Sequence, residues 1–320
     1  MLRMLALIVP LMAGVTGAAQ AQAPYPNRPI RVVIPFGPGG FADITMRLVG
    51  QQLSERSGVQ VVIENRPSAG GIIAANAVTS AQPDGYTLFV FSSGIALSKS
   101  LLKTMPFDPV TAFTPVSTLA LFDLLLLVKA DSPWHNVKDA LDAARADPSK
   151  FNIGTINPGS TQNVSAELLR SVTGIPVTIV PHRATADVLT SLLRGDTQIG
   201  VESYAALKSP IDAGQIRAIA ATGDKRSAMQ PNVPTLKESG INAEVVGWNS
   251  LVAPAGTPKE IVAVLNKHIR DIIESPDFQK RMLELGGEPK ASTPEELEAR
   301  LKSDIEMWAG VVKKAGLEPH

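Results

Sequence analysis

The sequence predicts an α/β protein of two units, each a mainly parallel sheet flanked by helices. Three observations lead there. The chain has 320 residues, 44% of them hydrophobic, and a chain of about that length buries roughly three quarters of its unfolded surface and tends to split into two cores. A strand, a glycine-rich loop and a helix follow one another from residue 31, and the series restarts at residue 151. Such alternation means parallel strands joined by crossovers. Beyond Thr257-Pro258 the chain turns mostly to amphipathic helix.

In chain order, residues 1–23 carry one cation, Arg3, then an apolar segment and a small-residue end, the layout of a secretory signal peptide. The segment is too short for a membrane span. Cleavage is expected after Ala21; the competing site after Ala23 would put Pro24 at the scissile bond. Residues 31–35 form a strand ending in Phe36-Gly-Pro-Gly-Gly40, and 43–56 has helical spacing through Ile44, Leu48 and Leu53. A strand at 59–63, a glycine-rich loop at 65–71, a helix at 72–79 and a strand at 86–91 follow, then an apolar run at 119–128 and a helix near 137–145. The second series reads strand 151–155, loop 156–161, helix 162–172, strand 177–180, helix 184–193, strand 199–201. Residues 216–221 and 244–253 add strands, and helices at 261–273, 276–285 and 294–314 each start where Thr or Ser adjoins Pro, residues suited to an N-cap and a first turn.

Composition narrows the function. With 30 Lys+Arg against 30 Asp+Glu and no basic stripe, the electrostatic footprint of nucleic-acid binding is absent. The absence of Cys excludes disulfides, thiolate nucleophiles and Cys-ligated zinc, and four scattered histidines (His135, His182, His268, His320) leave little for a metal site. No cofactor is expected.

Two loops carry the chemistry. Glycine-rich loops that follow a strand and open a helix expose backbone N–H groups at the positive end of the helix dipole. The first is Pro35-Phe36-Gly-Pro-Gly39-Gly40-Phe41-Ala-Asp43, where Asp43 either caps the helix or accepts a donor from a ligand; the second runs from Gly154 to Asn163, where Gly159, Ser160 and Thr161 offer donors. Facing each other across a cleft, they would suit a ligand with two carboxylates. Neither has the spacing of a P-loop or a dinucleotide fingerprint, and no nucleophile elbow or zinc-protease motif is present. Ser92-Ser93-Gly94 follows a strand, where such residues cap a helix or donate to a ligand as readily as they act as nucleophiles; an exported hydrolase using Ser92 or Ser93 with His182 is the rival reading. Trp248 either lines the cleft or braces a crossover strand, with bracing the stronger reading.

The string Tyr25-Pro-x-Arg-Pro-Ile-Arg-Val-Val-Ile-Pro-Phe-Gly-Pro-Gly-Gly40 with Asp43, then Val62-Ile-Glu-Asn-Arg-Pro67, Pro83-Asp-Gly-Tyr-Thr-Leu88, Asn232-Val-Pro-Thr235 and Ala253-Pro-Ala-Gly-Thr-Pro258 resembles the tripartite tricarboxylate transporter receptors, the Bug family of periplasmic solute-binding proteins. The resemblance implies a two-lobed, type II periplasmic-binding-protein-like fold with crossover strands. One lobe is expected to hold residues 24–124 and 249–320 and the other 125–248. It further implies a monomer that is not an enzyme, is exported to the periplasm, captures a small carboxylate and hands it to membrane subunits of a tripartite tricarboxylate-type transporter, or to a membrane sensor.

Carried over residue by residue, the resemblance points to Phe36, Gly39, Gly40 and Asp43 in one lobe and Gly159, Ser160 and Thr161 in the other, with Ser93 as an extension. Departures add Phe41, Asn163 where the family has His, His182 where a V-P-Y-K-G stretch is replaced, and Glu202 where an F-D pair becomes Val201-Glu202.

Overall fold

The computed structural model describes residues 25–102, 104–227 and 229–314; the signal-peptide expectation and His320 lie outside them. The chain runs β1 (Ile30–Ile34), α1 (Phe41–Ser57), β2 (Val61–Asn65), α2 (Ile72–Thr79), β3 (Thr87–Ser92), α3 (Ser93–Leu101) and β4 (Phe113–Phe122) in a first lobe. It crosses to a second lobe through β5 (Leu125–Lys129), α4 (Val137–Ala146), β6 (Asn152–Ile156), α5 (Thr161–Thr173), β7 (Thr178–His182), α6 (Thr185–Arg194), β8 (Ile199–Glu202), α7 (Tyr204–Asp212) and β9 (Ile216–Ala221). It returns through β10 (Gly247–Pro254), α8 (Lys259–Ile273), α9 (Pro276–Glu284), β11 (Gly287–Pro289) and α10 (Pro294–Lys314).

The two sheets have the orders β11-β4-β10-β3-β1-β2 and β7-β6-β8-β5-β9. The strands of each βα series run parallel, and the inner ones are apolar and mostly buried, as suits strands covered on both faces; Val32 pairs with Ile63 on one side and Leu88 on the other. One strand in each sheet arrives from the other lobe and inserts antiparallel, β10 between β3 and β4 and β5 between β8 and β9. The short β11 also runs antiparallel, on β4.

Three elements escape the sequence pattern. The apolar run at 119–128 is two strands in two different sheets, broken at Asp123-Leu124. Helix α3 opens directly from β3 with small and apolar residues, Ser-Gly-Ile-Ala-Leu, that show no polar face. Helix α7 contains Pro210 and a non-helical Leu207. Of the three helix starts where Thr or Ser adjoins Pro, one has a side-chain cap: Thr293 and Glu296 form a reciprocal capping box at α10, with Thr293 N–H to Glu296 Oε2 at 2.8 Å and Glu296 N–H to Thr293 Oγ1 at 3.2 Å, whereas no side chain caps α8 or α9.

The two connections between lobes are stapled by one side chain. Thr222, on the return segment, accepts the Leu124 N–H at 3.0 Å and donates to the Val245 carbonyl at 2.8 Å through its hydroxyl. Its own N–H donates to Leu124 O at 2.8 Å. Beside this hinge lies a cavity of about 290 Å³ lined by Leu121, Phe122, Asp123, Met229 and Leu283.

Burial pushes the Asp123 carboxyl up to about 6, and Asp224 adds to the shift. An acid whose folded pKa is raised contributes fully below its unfolded pKa, near 4, and loses that contribution as pH rises through 6. A difference of about 2 pKa units corresponds to about 3 kcal/mol at most. Asp123→Asn is therefore expected to match wild type in thermal melts at pH 4 and to exceed it by about 2–3 kcal/mol at pH 7.5; equal melts at pH 7.5 would contradict the assignment.

Candidate binding cleft

In the first lobe, β1 delivers the chain into Pro35-Phe36-Gly37-Pro38-Gly39-Gly40 and α1 begins at Phe41. Gly39 sits at φ +81°, a left-handed conformation natural to glycine. Its N–H donates to Asp43 Oδ2 at 3.0 Å, and the same carboxylate takes Arg47 Nε at 2.9 Å and Asn65 Nδ2 at 3.0 Å. Burial pushes Asp43 up, yet these donors together outweigh it and hold the carboxyl below its ordinary range. Asp43 is thus an ionised brace for the loop. No side chain caps α1, so its leading N–H groups stay available.

In the second lobe, Gly159 has φ +79° and Ser160 caps α5, its Oγ accepting the Asn163 N–H at 3.1 Å. Asn163 Oδ1 accepts the Gly159 N–H and its Nδ2 donates to Thr155 Oγ1, each at 3.4 Å. Asn163 therefore shapes the loop from behind.

The lobes are closed on one another. Ser93 Oγ meets Thr161 Oγ1 at 3.0 Å, Gly70 N–H donates to Pro158 O at 2.9 Å, and Asn157 Nδ2 donates to Ser68 O at 2.7 Å. Backbone meets backbone across the lobes at Gly94, where a Cβ would fall 2.5 Å from Thr161 N and 2.6 Å from Gly159 O.

Between the lobes remains a cavity of about 20 Å³. Phe36, Phe41, Phe122 and Ile156 form its apolar wall; Ser92, Asn249, Thr161 and Gln162 supply its polar groups, and the backbone of Gly40 and Ala42 completes it. None of these is Lys or Arg, so any anion here is held by dipoles. Ser92 Oγ and Asn249 Nδ2 are buried without a hydrogen-bond partner, and the two residues pair across β3 and β10. Buried polar groups are almost always satisfied, so two orphaned donors side by side mark a place built for an acceptor.

Of the residues expected at the site, Phe36, Gly40, Phe41 and Thr161 line the cavity. Gly159, Ser160, Asn163 and Asp43 shape the loops around it, and Gly39 is exposed. Ser93 spans the lobes and also accepts the Trp248 N–H at 3.3 Å. Trp248 is a brace, buried, stacked on Phe91, and hydrogen-bonded from Nε1 to Asp304 Oδ2. Glu202 lies one layer behind the cavity, fully buried, accepting Gln162 Nε2, Thr185 Oγ1 and the Ser203 N–H. His182 ends β7, outside the cavity lining; Ser92 Oγ has no partner and Ser93 Oγ is engaged with Thr161 and Trp248, so neither serine is paired with it.

Sequence reading missed Asn249, Gln162, Phe122 and Ile156, and left Ser92 between a nucleophile and a residue that caps a helix or donates to a ligand. The available signal was a polar Asn-Ser pair inside the otherwise apolar strand at 247–254. Among the described residues no group of three His, Asp or Glu could hold a metal, and no helix is long and apolar enough to cross a membrane.

Two α/β lobes on a stapled double crossover, closing over a cavity ringed by helix N-termini, define a solute-binding protein of the periplasmic type. The model of the tripartite tricarboxylate transporter family receptor matches residues 45–317, and the chain belongs to that family. It is similar to Protein BugT of Bordetella pertussis, 31% identical over 99% of this chain and 98% of that one. Among solved structures it is similar to Rpa4515 of R. palustris with adipate, at TM-score 0.88 and 35% identity over 93% of this chain and all of that one. MatC of Rhodopseudomonas palustris with bound malate follows at TM-score 0.86 and 29% identity, covering 90% and 100%.

Proposed function

We propose that this protein is an exported periplasmic receptor that captures a small carboxylate between its lobes and presents the closed form to membrane subunits of a tripartite tricarboxylate-type transporter. The observation that carries the reading is the pair of orphaned donors, Ser92 Oγ and Asn249 Nδ2, in a cavity bounded by the starts of α1 and α5. The adipate and malate in the two R. palustris neighbours support the ligand class. In this reading the lobes are residues 24–124 with 249–320 and residues 125–248, turning about the Thr222 staple, and binding involves no covalent chemistry.

The test is a thermal-shift and calorimetry panel of di- and tricarboxylates, aromatic acids and amino acids against the mature chain. At least one acid is expected to stabilise the protein by about 2.7 kcal/mol at a hundredfold excess over its Kd. No shift with any acid would contradict the proposal, and turnover of an ester that Ser92→Ala abolishes would favour the hydrolase.

A further inference from the structure

Glu202 is an acid with no surface exposure and no cation beside it; burial pushes its carboxyl up, and the hydrogen bonds around it oppose that shift. Such a group is costly unless several donors surround it. Two of its contacts come from one amide nitrogen: Gln162 Nε2 lies 3.2 Å from Oε1 and 3.1 Å from Oε2. Thr185 Oγ1 at 2.7 Å and the Ser203 N–H at 2.5 Å complete the shell.

The Gln162 amide is turned with its nitrogen to both Glu202 oxygens, where an N–H donates to whichever carboxyl oxygen accepts. Gln162 itself lines the cleft cavity, and with its nitrogen committed, the polar atom it retains for that cavity is an acceptor, Oε1. Across the cavity, the first lobe offers the opposite polarity: the Asn249 amide nitrogen and the Ser92 hydroxyl. The cavity is thus donor-rich on the β3/β10 side and acceptor-bearing on the α5 side.

We infer that Glu202, acting through Gln162, makes this cleft select acids that carry a hydrogen-bond donor, a hydroxyl or an ammonium, over the unsubstituted parent acid. The inference rests on the carboxylate-receptor reading and deepens it. Glu202 is a positioning residue here; Gln162 is the group that meets the ligand. A ligand without the donor leaves the amide oxygen desolvated and unpaired, the kind of mismatch that discriminates strongly between close analogues.

The experiment uses calorimetry at pH 7.5 on the mature chain with two matched series: succinate, malate and aspartate, then 3-phenylpropionate, 3-phenyllactate and phenylalanine. In at least one series the hydroxy or amino acid is expected to bind about tenfold or more tighter than its parent, and comparing those two members tells hydroxyl from ammonium. Glu202→Gln can pair with the Gln162 amide in either orientation and is expected to shrink the ratio below about threefold while binding persists. Gln162→Leu removes the acceptor, is expected to do the same, and carries the test should Glu202→Gln fail to fold. Equal affinities within both series in wild type would overturn the selectivity and leave the carboxylate reading standing. A ratio unchanged in both variants would overturn the role of Glu202 and Gln162. Binding of no acid at all would overturn the carboxylate reading and this inference with it.

Discussion

Gly94→Ala is expected to leave the protein folded and weaken carboxylate binding about 10- to 100-fold, and Gly94→Leu to abolish it. Gly94 is the second residue of α3 and has ordinary helical geometry, with no positive φ. Alanine there favours the helix by up to about 1 kcal/mol over glycine, so the first lobe by itself tolerates the change. The obstruction is in the other lobe. The new methyl would lie 2.5 Å from Thr161 N, 2.6 Å from Gly159 O and 2.6 Å from Ser160 C, all backbone atoms that cannot rotate away. Overpacking of this kind costs typically about 1–3 kcal/mol, and it applies only when the lobes are shut. Calorimetry with a binding acid reads the loss, and small-angle scattering with that acid present should show the variant remaining more extended than wild type. Wild-type affinity in both variants would show that closure at this face is not needed.

The second large effect has two opposite signs. Asn249→Leu is expected to raise the melting free energy of the ligand-free protein by about 1–3 kcal/mol, because it removes a buried donor that no protein atom satisfies. The same change is expected to weaken carboxylate binding by about 1.5–3 kcal/mol, the usual worth of a hydrogen bond to a charged group. A gain in stability bought with a loss of function is characteristic of residues held for a ligand. An Asn kept for structure alone would give the reverse, lower stability with binding unchanged, and that outcome would remove Asn249 from the site.

The sequence made the β1–α1 and β6–α5 turns plain, since β-branched strands, glycines and helix periodicity are local signals. The two-lobe layout was legible for the same reason, as a series that stops and restarts. What local pattern cannot show is which distant strand a segment joins. The run at 119–128 reads as one apolar stretch because both β4 and β5 are buried, and only the break at Asp123-Leu124 separates two sheets. Asn249 is more than 150 residues from Ser92 along the chain, yet β10 inserts between β3 and β4 and sets them opposite. Gly94 was passed over because its constraint comes from the far lobe. Asp43 and Asn163 stood in the right loops, but their bonds go to the loops' own backbone and to the side chains behind it. The sequence offers no way to tell a residue that meets a ligand from one that holds the loop in place.

The most direct measurement is a crystal structure with an acid that stabilises the protein in the panel. The acid is expected between the lobes, with carboxylate oxygens within hydrogen-bond distance of Asn249 Nδ2 and Ser92 Oγ and of leading N–H groups of α1 or α5, and with no Lys or Arg touching it. An acid found instead in the hinge-side cavity beside Asp123, or paired with a cationic side chain, would contradict that expectation.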